Sequence, residues 1–154
     1  MKWLNSGGSD SVAVGKLPPN PARGEALFTQ QGCVACHSLT AGGPVLGPFM
    51  GQIGSIMNAQ QIATAILRPN DTISQGFQTV IVTMKDGSVR TGFVTESTSE
   101  KISVRDIAGA VTTLSLADVK EQKHLPTSTM PEGLANALSL EDFTALVQFL
   151  AAKK

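Results

Sequence analysis

The five residues Cys33-Val34-Ala35-Cys36-His37 constrain this chain more than any others, and they contain its only two cysteines. Two thiols separated by two residues, followed at once by an imidazole, admit four readings. A dithiol redox pair uses the same spacing, but normally between a strand and a helix. Here the lead-in Arg23-Gly24-Glu25-Ala26-Leu27-Phe28-Thr29-Gln30-Gln31-Gly32 reads as helix. A zinc site needs more donors, and His124 is the one further imidazole in the chain. A disulfide closing so small a loop adds little stability. Covalent attachment of c-type haem requires this order of residues: each thiol adds to one vinyl group, and the short spacer lets both sulfurs reach one porphyrin. The imidazole then falls beneath the iron. The expected cofactor is one covalently bound haem c, held by Cys33 and Cys36 with His37 as proximal ligand.

The chain of 154 residues is the length of one domain, or of one domain with a small insert. Its 12 basic and 12 acidic residues cancel, which argues against nucleic acid as the main partner. No segment is long and apolar enough to span a bilayer. Met1-Lys2-Trp3-Leu4 is too short for a secretory signal. Haem is attached covalently outside the cytoplasm, so a periplasmic or other extracytoplasmic protein is expected, with a leader or upstream region missing from this chain. Residues 1–19 read as a tail or linker, because Asn5-Ser6-Gly7-Gly8-Ser9 has flexible-linker composition and Leu17-Pro18-Pro19 stiffens the approach to the folded part.

The remaining punctuation divides residues 20–154. Asn20 and Pro21 open a first helix, which Gly32 ends. A Gly- and Pro-rich loop spans Ala41 to Gly51. A second helix runs from Asn58 or Ala59 to Arg68 and stops at Pro69. Residues 77–117 then turn to β-branched composition around the Asp86-Gly87 turn, which predicts four antiparallel strands in a small barrel-like insert. Ser139 caps a last helix whose apolar face is Phe143, Leu146, Val147 and Leu150.

An iron held by His37 has a second axial position to fill. Met130 is the favoured ligand, since it sits in the polar loop Thr127-Ser128-Thr129-Met130-Pro131-Glu132-Gly133, where a methionine has little reason to be core. His124 is its rival. Met50 and Met57 read as packing, and Met84 as core of the strand-rich insert.

Taken together, these residues resemble the class I cytochrome c fold: a first helix with Gly24 and Phe28, the Cys33–His37 motif, a Gly-Pro loop, and Met130-Pro131 before a final helix with Phe149. The β-rich insert narrows the likeness to a haem-binding domain family found in planctomycetes and verrucomicrobia. Matching pieces are Ile66-Leu67-Arg68-Pro69-Asn70, Lys85-Asp86-Gly87-Ser88-Val89-Arg90-Thr91-Gly92 and Ser128-Thr129-Met130-Pro131-Glu132-Gly133-Leu134. The likeness covers about residues 21–152. It implies a mainly α, cytochrome c-like fold with an inserted antiparallel β-unit, α+β overall. It also implies that the first and last helices cross at Gly24, that Phe28 packs near Phe149, and that the Pro48 carbonyl accepts a hydrogen bond from His37. Phe77 and Phe149 stand where the family commonly has Tyr.

The expected function is electron transfer by a His37/Met130-ligated haem, not catalysis. The partners would be redox proteins, an extracytoplasmic dehydrogenase and a terminal acceptor. The alternative is a haem domain whose distal ligand is displaceable, acting in gas sensing or peroxide chemistry. A third reading gives the β-insert a docking role. Nothing in the sequence sets an oligomeric state.

Overall fold

The computed structural model describes residues 17–43 and 46–154. All but the last three residues of the tail expected over 1–19 lie outside the described residues. The chain forms two compact units: one holds the described residues up to Pro69 together with Pro131–Lys154, and the other is Asn70–Met130.

The first unit is helical. Helix α1 spans Pro21–Gln30. Asn20 caps it, its side-chain oxygen accepting from the Arg23 N–H at 3.1 Å. Gly32, at φ +76°, then turns the chain out of the helix. A short helix α2 follows at Ile53–Ile56. Helix α3 spans Ala59–Leu67 and opens on a full capping box between Asn58 and Gln61. Helix α4 spans Leu140–Ala151; Ser139 caps it, and Glu141 and Asp142 sit at its positive end.

Helices α1 and α4 cross at Gly24. A Cβ there would collide with the Ala145 carbonyl and the Phe149 side chain, so only glycine lets the backbones come this close. The Phe28 and Phe149 rings meet in a tilted pair with centroids 6.3 Å apart. Arg23 clamps the crossing with a two-pronged ion pair, Nε to Asp142 Oδ1 at 2.7 Å and Nη2 to Oδ2 at 2.6 Å. Beneath lie Leu27, Ile53, Ile62, Ala63, Phe143, Leu146, Val147 and Leu150, all buried. Burying a side chain of this size contributes roughly 1.5–3 kcal/mol, so the apolar faces of the four helices stabilise one another.

The second unit is a five-stranded antiparallel sheet in the order β4-β3-β2-β1-β5. Its strands are β1 Thr79–Met84, β2 Val89–Ser97, β3 Lys101–Arg105, β4 Val111–Ser115 and β5 Val119–His124. Gly87, at φ +87°, makes the β1–β2 hairpin possible. Long strand β2 bends by two devices. A bulge falls between Val94 and Glu96. Gly92 also lies so close to the Arg105 backbone that no Cβ would fit. Val80, Val82, Ile102, Val104 and Leu114 form this unit's own core. At another point Phe77 packs on Phe93 with centroids 5.8 Å apart, and the Arg105 guanidinium lies over both rings.

These findings correct the expectation of a mainly α, cytochrome c-like fold carrying a small insert. About 30% of the chain is helix and 23% strand, and the sheet has a hydrophobic core of its own. The fold is α+β with a β core. The strand-rich region also runs past residue 117 into β5, which pairs with β1 from Val80↔His124 onward. No helix among the described residues is long and apolar enough to cross a membrane.

Candidate functional site

The Cys33–His37 motif sits where α1 gives way to a tighter turn. After the left-handed Gly32, residues Cys33–Ala35 form one 3-10 turn. The Cys33 carbonyl accepts from the Cys36 N–H at 3.2 Å and the His37 N–H at 2.8 Å. This winding gathers both thiols and the imidazole within little more than one turn of backbone. Both cysteines are free. Cys33 is half-buried against the helical core, and burial raises its thiol above the ordinary value. Cys36 is exposed.

The Gly-Pro loop is laid alongside the motif by two backbone bonds. The Gly47 N–H donates to the Cys36 carbonyl at 2.8 Å, and the Met50 N–H donates to the Ser38 carbonyl at 2.8 Å. Between these bonds, the Pro48 carbonyl oxygen comes within 2.8 Å of His37 Nδ1. A carbonyl can only accept, so Nδ1 carries the proton and donates. The second ring nitrogen, Nε2, then keeps its lone pair and is the one able to bind a metal. Gly47 lies against the ring itself: a Cβ there would sit 2.6 Å from Cε1 and 2.8 Å from Nδ1. The imidazole is thus held by a carbonyl at one nitrogen and by bare backbone beside its ring.

The remaining candidates are placed as follows. Met130 is half-buried and is the last residue of the sheet unit. Its N–H donates to Ser128 Oγ at 3.1 Å, and the Ser128 N–H donates to Asn70 Oδ1 at 2.7 Å. The loop that carries Met130 is therefore tied to the residue that opens the unit. His124 is exposed at the end of β5. Met50 and Met57 are half-buried against the helical core, and Met84 against the core of the sheet. The fold brings Cys33, Cys36, His37 and Pro48 together in one unit, whereas Met130 and His124 belong to the other.

Sequence reading missed Gly47, which leaves room for the His37 ring. No local signal singles it out within a Gly- and Pro-rich loop, because its contact is with a ring ten residues earlier in the chain. Among the described residues there is no group of three or more His, Cys, Asp or Glu side chains that could hold a metal ion. No protein-family model and no curated protein matches the chain.

The site passes a chemical test for haem c. It offers two free thiols at the right spacing and one imidazole, and that imidazole is already in the tautomer that leaves Nε2 free.

Proposed function

We propose that this protein is a monohaem c-type cytochrome that carries single electrons between extracytoplasmic redox partners. The observation that carries the reading is the Nδ1 contact of His37 with the Pro48 carbonyl, 2.8 Å long, beside two free cysteines. Cys33 and Cys36 would hold the porphyrin by thioether bonds, and His37 Nε2 would ligate the iron. When bound, haem supplies a one-electron Fe(III)/Fe(II) couple.

The chain's own residues have three tasks in this reading. The Pro48 carbonyl orients His37 and raises its basicity through the shared proton, which favours the oxidised metal. Gly47 leaves the space in which the ring sits. Met130 would supply a thioether as the second protein ligand, a donor that favours the reduced metal and raises the potential relative to a second imidazole. Held by two protein ligands, the group would supply electron transfer in preference to substrate chemistry. The partners that fit are an extracytoplasmic dehydrogenase as donor and a terminal acceptor.

Spectroscopy of the protein, matured with haem, tests this reading. A His/Met site gives a sulfur-to-iron band in the near infrared when oxidised and does not bind carbon monoxide rapidly when reduced. Rapid carbon monoxide binding by the native reduced protein would instead favour a displaceable distal ligand.

A further inference from the structure

The two edges of the sheet are built differently. Strand β5 closes one side and carries Lys120, Glu121 and Lys123, charges that resist an added strand. Strand β4 closes the other side without any such device. Val111-Thr112-Thr113-Leu114-Ser115 has no charged residue and no proline, and its pairing with β3 runs without a bulge. Leu114 is buried, and the other four residues are exposed. The register with β3 decides which backbone groups of this edge are already used. The Asp106 N–H donates to the Ala110 carbonyl, and the Leu116 N–H to the Glu100 carbonyl. Antiparallel pairs alternate, so between these two bonds Thr112 and Leu114 turn their N–H and carbonyl groups toward Val104 and Ile102. Those of Val111, Thr113 and Ser115 therefore point away from β3, with no strand beyond them among the described residues. The hairpin leading into β4 is stiff and apolar at its tip. Asp106 Oδ1 accepts from the Ala108 and Ala110 N–H groups, both at 2.9 Å, and Gly109 takes φ +87°. Ile107 is thereby held 76% exposed, and Val111 is 57% exposed at the start of the strand.

We propose that β4 is an open pairing edge whose occupant is β4 of a second copy of this chain, joining two sheets across a two-fold axis. Antiparallel pairing centred on Thr113 sets Thr113 opposite its counterpart, and Val111 opposite Ser115 on either side. All three outward-facing residues then make ladder pairs, and the residue at the axis is small and uncharged. Charge favours β4 over β5 as the partner edge. Against β5, the charges of Lys120, Glu121 and Lys123 would lose hydration beside a strand with no counter-charge. In the β4–β4 pair the nearest strand charges are Lys101 and Arg105, which stand opposite Ser115 and Val111 on β3. Each faces its opposite number in the second copy across three strand spacings, about 14 Å, which is beyond the screening length of about 8–10 Å. Lys101 is also paired with Glu96, and Arg105 lies over Phe77 and Phe93. The contact is the same patch on both copies, so it closes at two, whereas β4 on β5 would leave an edge free at each end. The paired edge is about 17 Å long, short of a standard interface, so the dimer is weak. No residue of the Cys33–His37 motif takes part, and nothing here depends on the cytochrome reading.

Sedimentation equilibrium of the whole chain tests this. The average mass should climb from one chain toward two between about 50 μM and about 1 mM, and level there. A single chain mass throughout overturns the proposal and leaves the edge to a strand of some other protein; growth past two chains overturns it as well. Thr113→Lys and Thr113→Glu locate the contact, because each sets like charges face to face at the axis. Either variant alone should stay monomeric over that range, and an equimolar mixture of the two should dimerise again. A dimer that survives in either variant alone, or a mixture that stays monomeric, overturns the proposal. Amide hydrogen exchange in the unsubstituted chain decides the matter if a variant fails to fold. The Val111 and Thr113 amides should exchange about fivefold or more slowly at the higher concentration, while Thr112 and Leu114, already turned toward β3, change by less than about twofold. The same response at all four amides overturns the proposal.

Discussion

His37 Nδ1 lies 2.8 Å from the carbonyl oxygen of Pro48, and the residue before that proline, Gly47, has its backbone against the imidazole ring. The two contacts set the tautomer and the position of one side chain. They depend on a backbone carbonyl and on a missing side chain, so neither can be replaced by a different polar residue.

Gly47→Ala tests the second contact. The added methyl would sit 2.6 Å from Cε1, well inside van der Waals distance, so the ring must move. The expected result is a weakened His37–Pro48 bond with a raised reduction potential, because the ligand loses basicity. Overpacking of this kind costs about 1–3 kcal/mol. Electrochemical titration alongside urea unfolding separates the two effects; an unchanged potential would show that the ring position does not tune the metal.

Gly24→Ala should be more damaging to stability and less to the site. The methyl would meet the backbone carbonyl of Ala145, which is fixed within α4 and cannot swing aside. Roughly 1–3 kcal/mol of destabilisation is expected, read as a lower urea midpoint with the visible spectrum intact. A variant as stable as the parent would mean that α1 and α4 do not cross as closely as described.

The Arg23–Asp142 pair makes stability depend on pH. The hydrogen bond from Arg23 holds the Asp142 carboxyl below its usual range. A depressed carboxylate stabilises the fold above its unfolded-state value, about 3.9, and that contribution is lost as pH falls through the lower folded-state value. The parent should therefore be more stable than Asp142→Asn at neutral pH, and the difference should shrink in acid. Both side chains are partly exposed, so added salt should shrink it too. Thermal unfolding of both proteins across pH 2–7 (a range chosen to span about two units below and three above the usual value) measures this. A constant gap would remove the pair from the acid response.

Met130→Ala and His124→Ala separate the two candidates for the second axial position. Loss of the near-infrared band and a lower potential are expected in the first. No spectral change is expected in the second, where an exposed imidazole at the end of β5 is removed. The reverse pattern would assign the iron to His124.

Local signals made three of the four described helices readable; the short α2, which has no side-chain cap, was not expected. Asn20-Pro21, Asn58 and Ser139 mark helix starts, and in the structure each of Asn20, Asn58 and Ser139 caps its helix through an N–H three residues on. The Asp86-Gly87 hairpin was readable for the same reason. Strand β5 was not. Val119-Lys120-Glu121-Gln122-Lys123-His124 has no apolar alternation, because it forms one edge of the sheet and nearly every side chain faces water. Charges on such an edge discourage pairing with other chains, and the same charges hide the strand from pattern reading. The fold class was misjudged with it, since four strands read as an appendage whereas five enclose a core. At the site, the thiols and His37 were legible from their spacing. The space left by Gly47 and the Arg23–Asp142 clamp were not, because each joins residues that only the folded chain brings together.

The central claim is that Cys33 and Cys36 carry haem. Its most direct test is the intact mass of the chain produced with a c-type maturation system, measured after denaturation. The account predicts the mass of the polypeptide plus one haem, with no free thiol left to alkylate and both additions abolished in the Cys33→Ser/Cys36→Ser double variant. A denatured chain at the bare polypeptide mass, with both thiols alkylated, would contradict it.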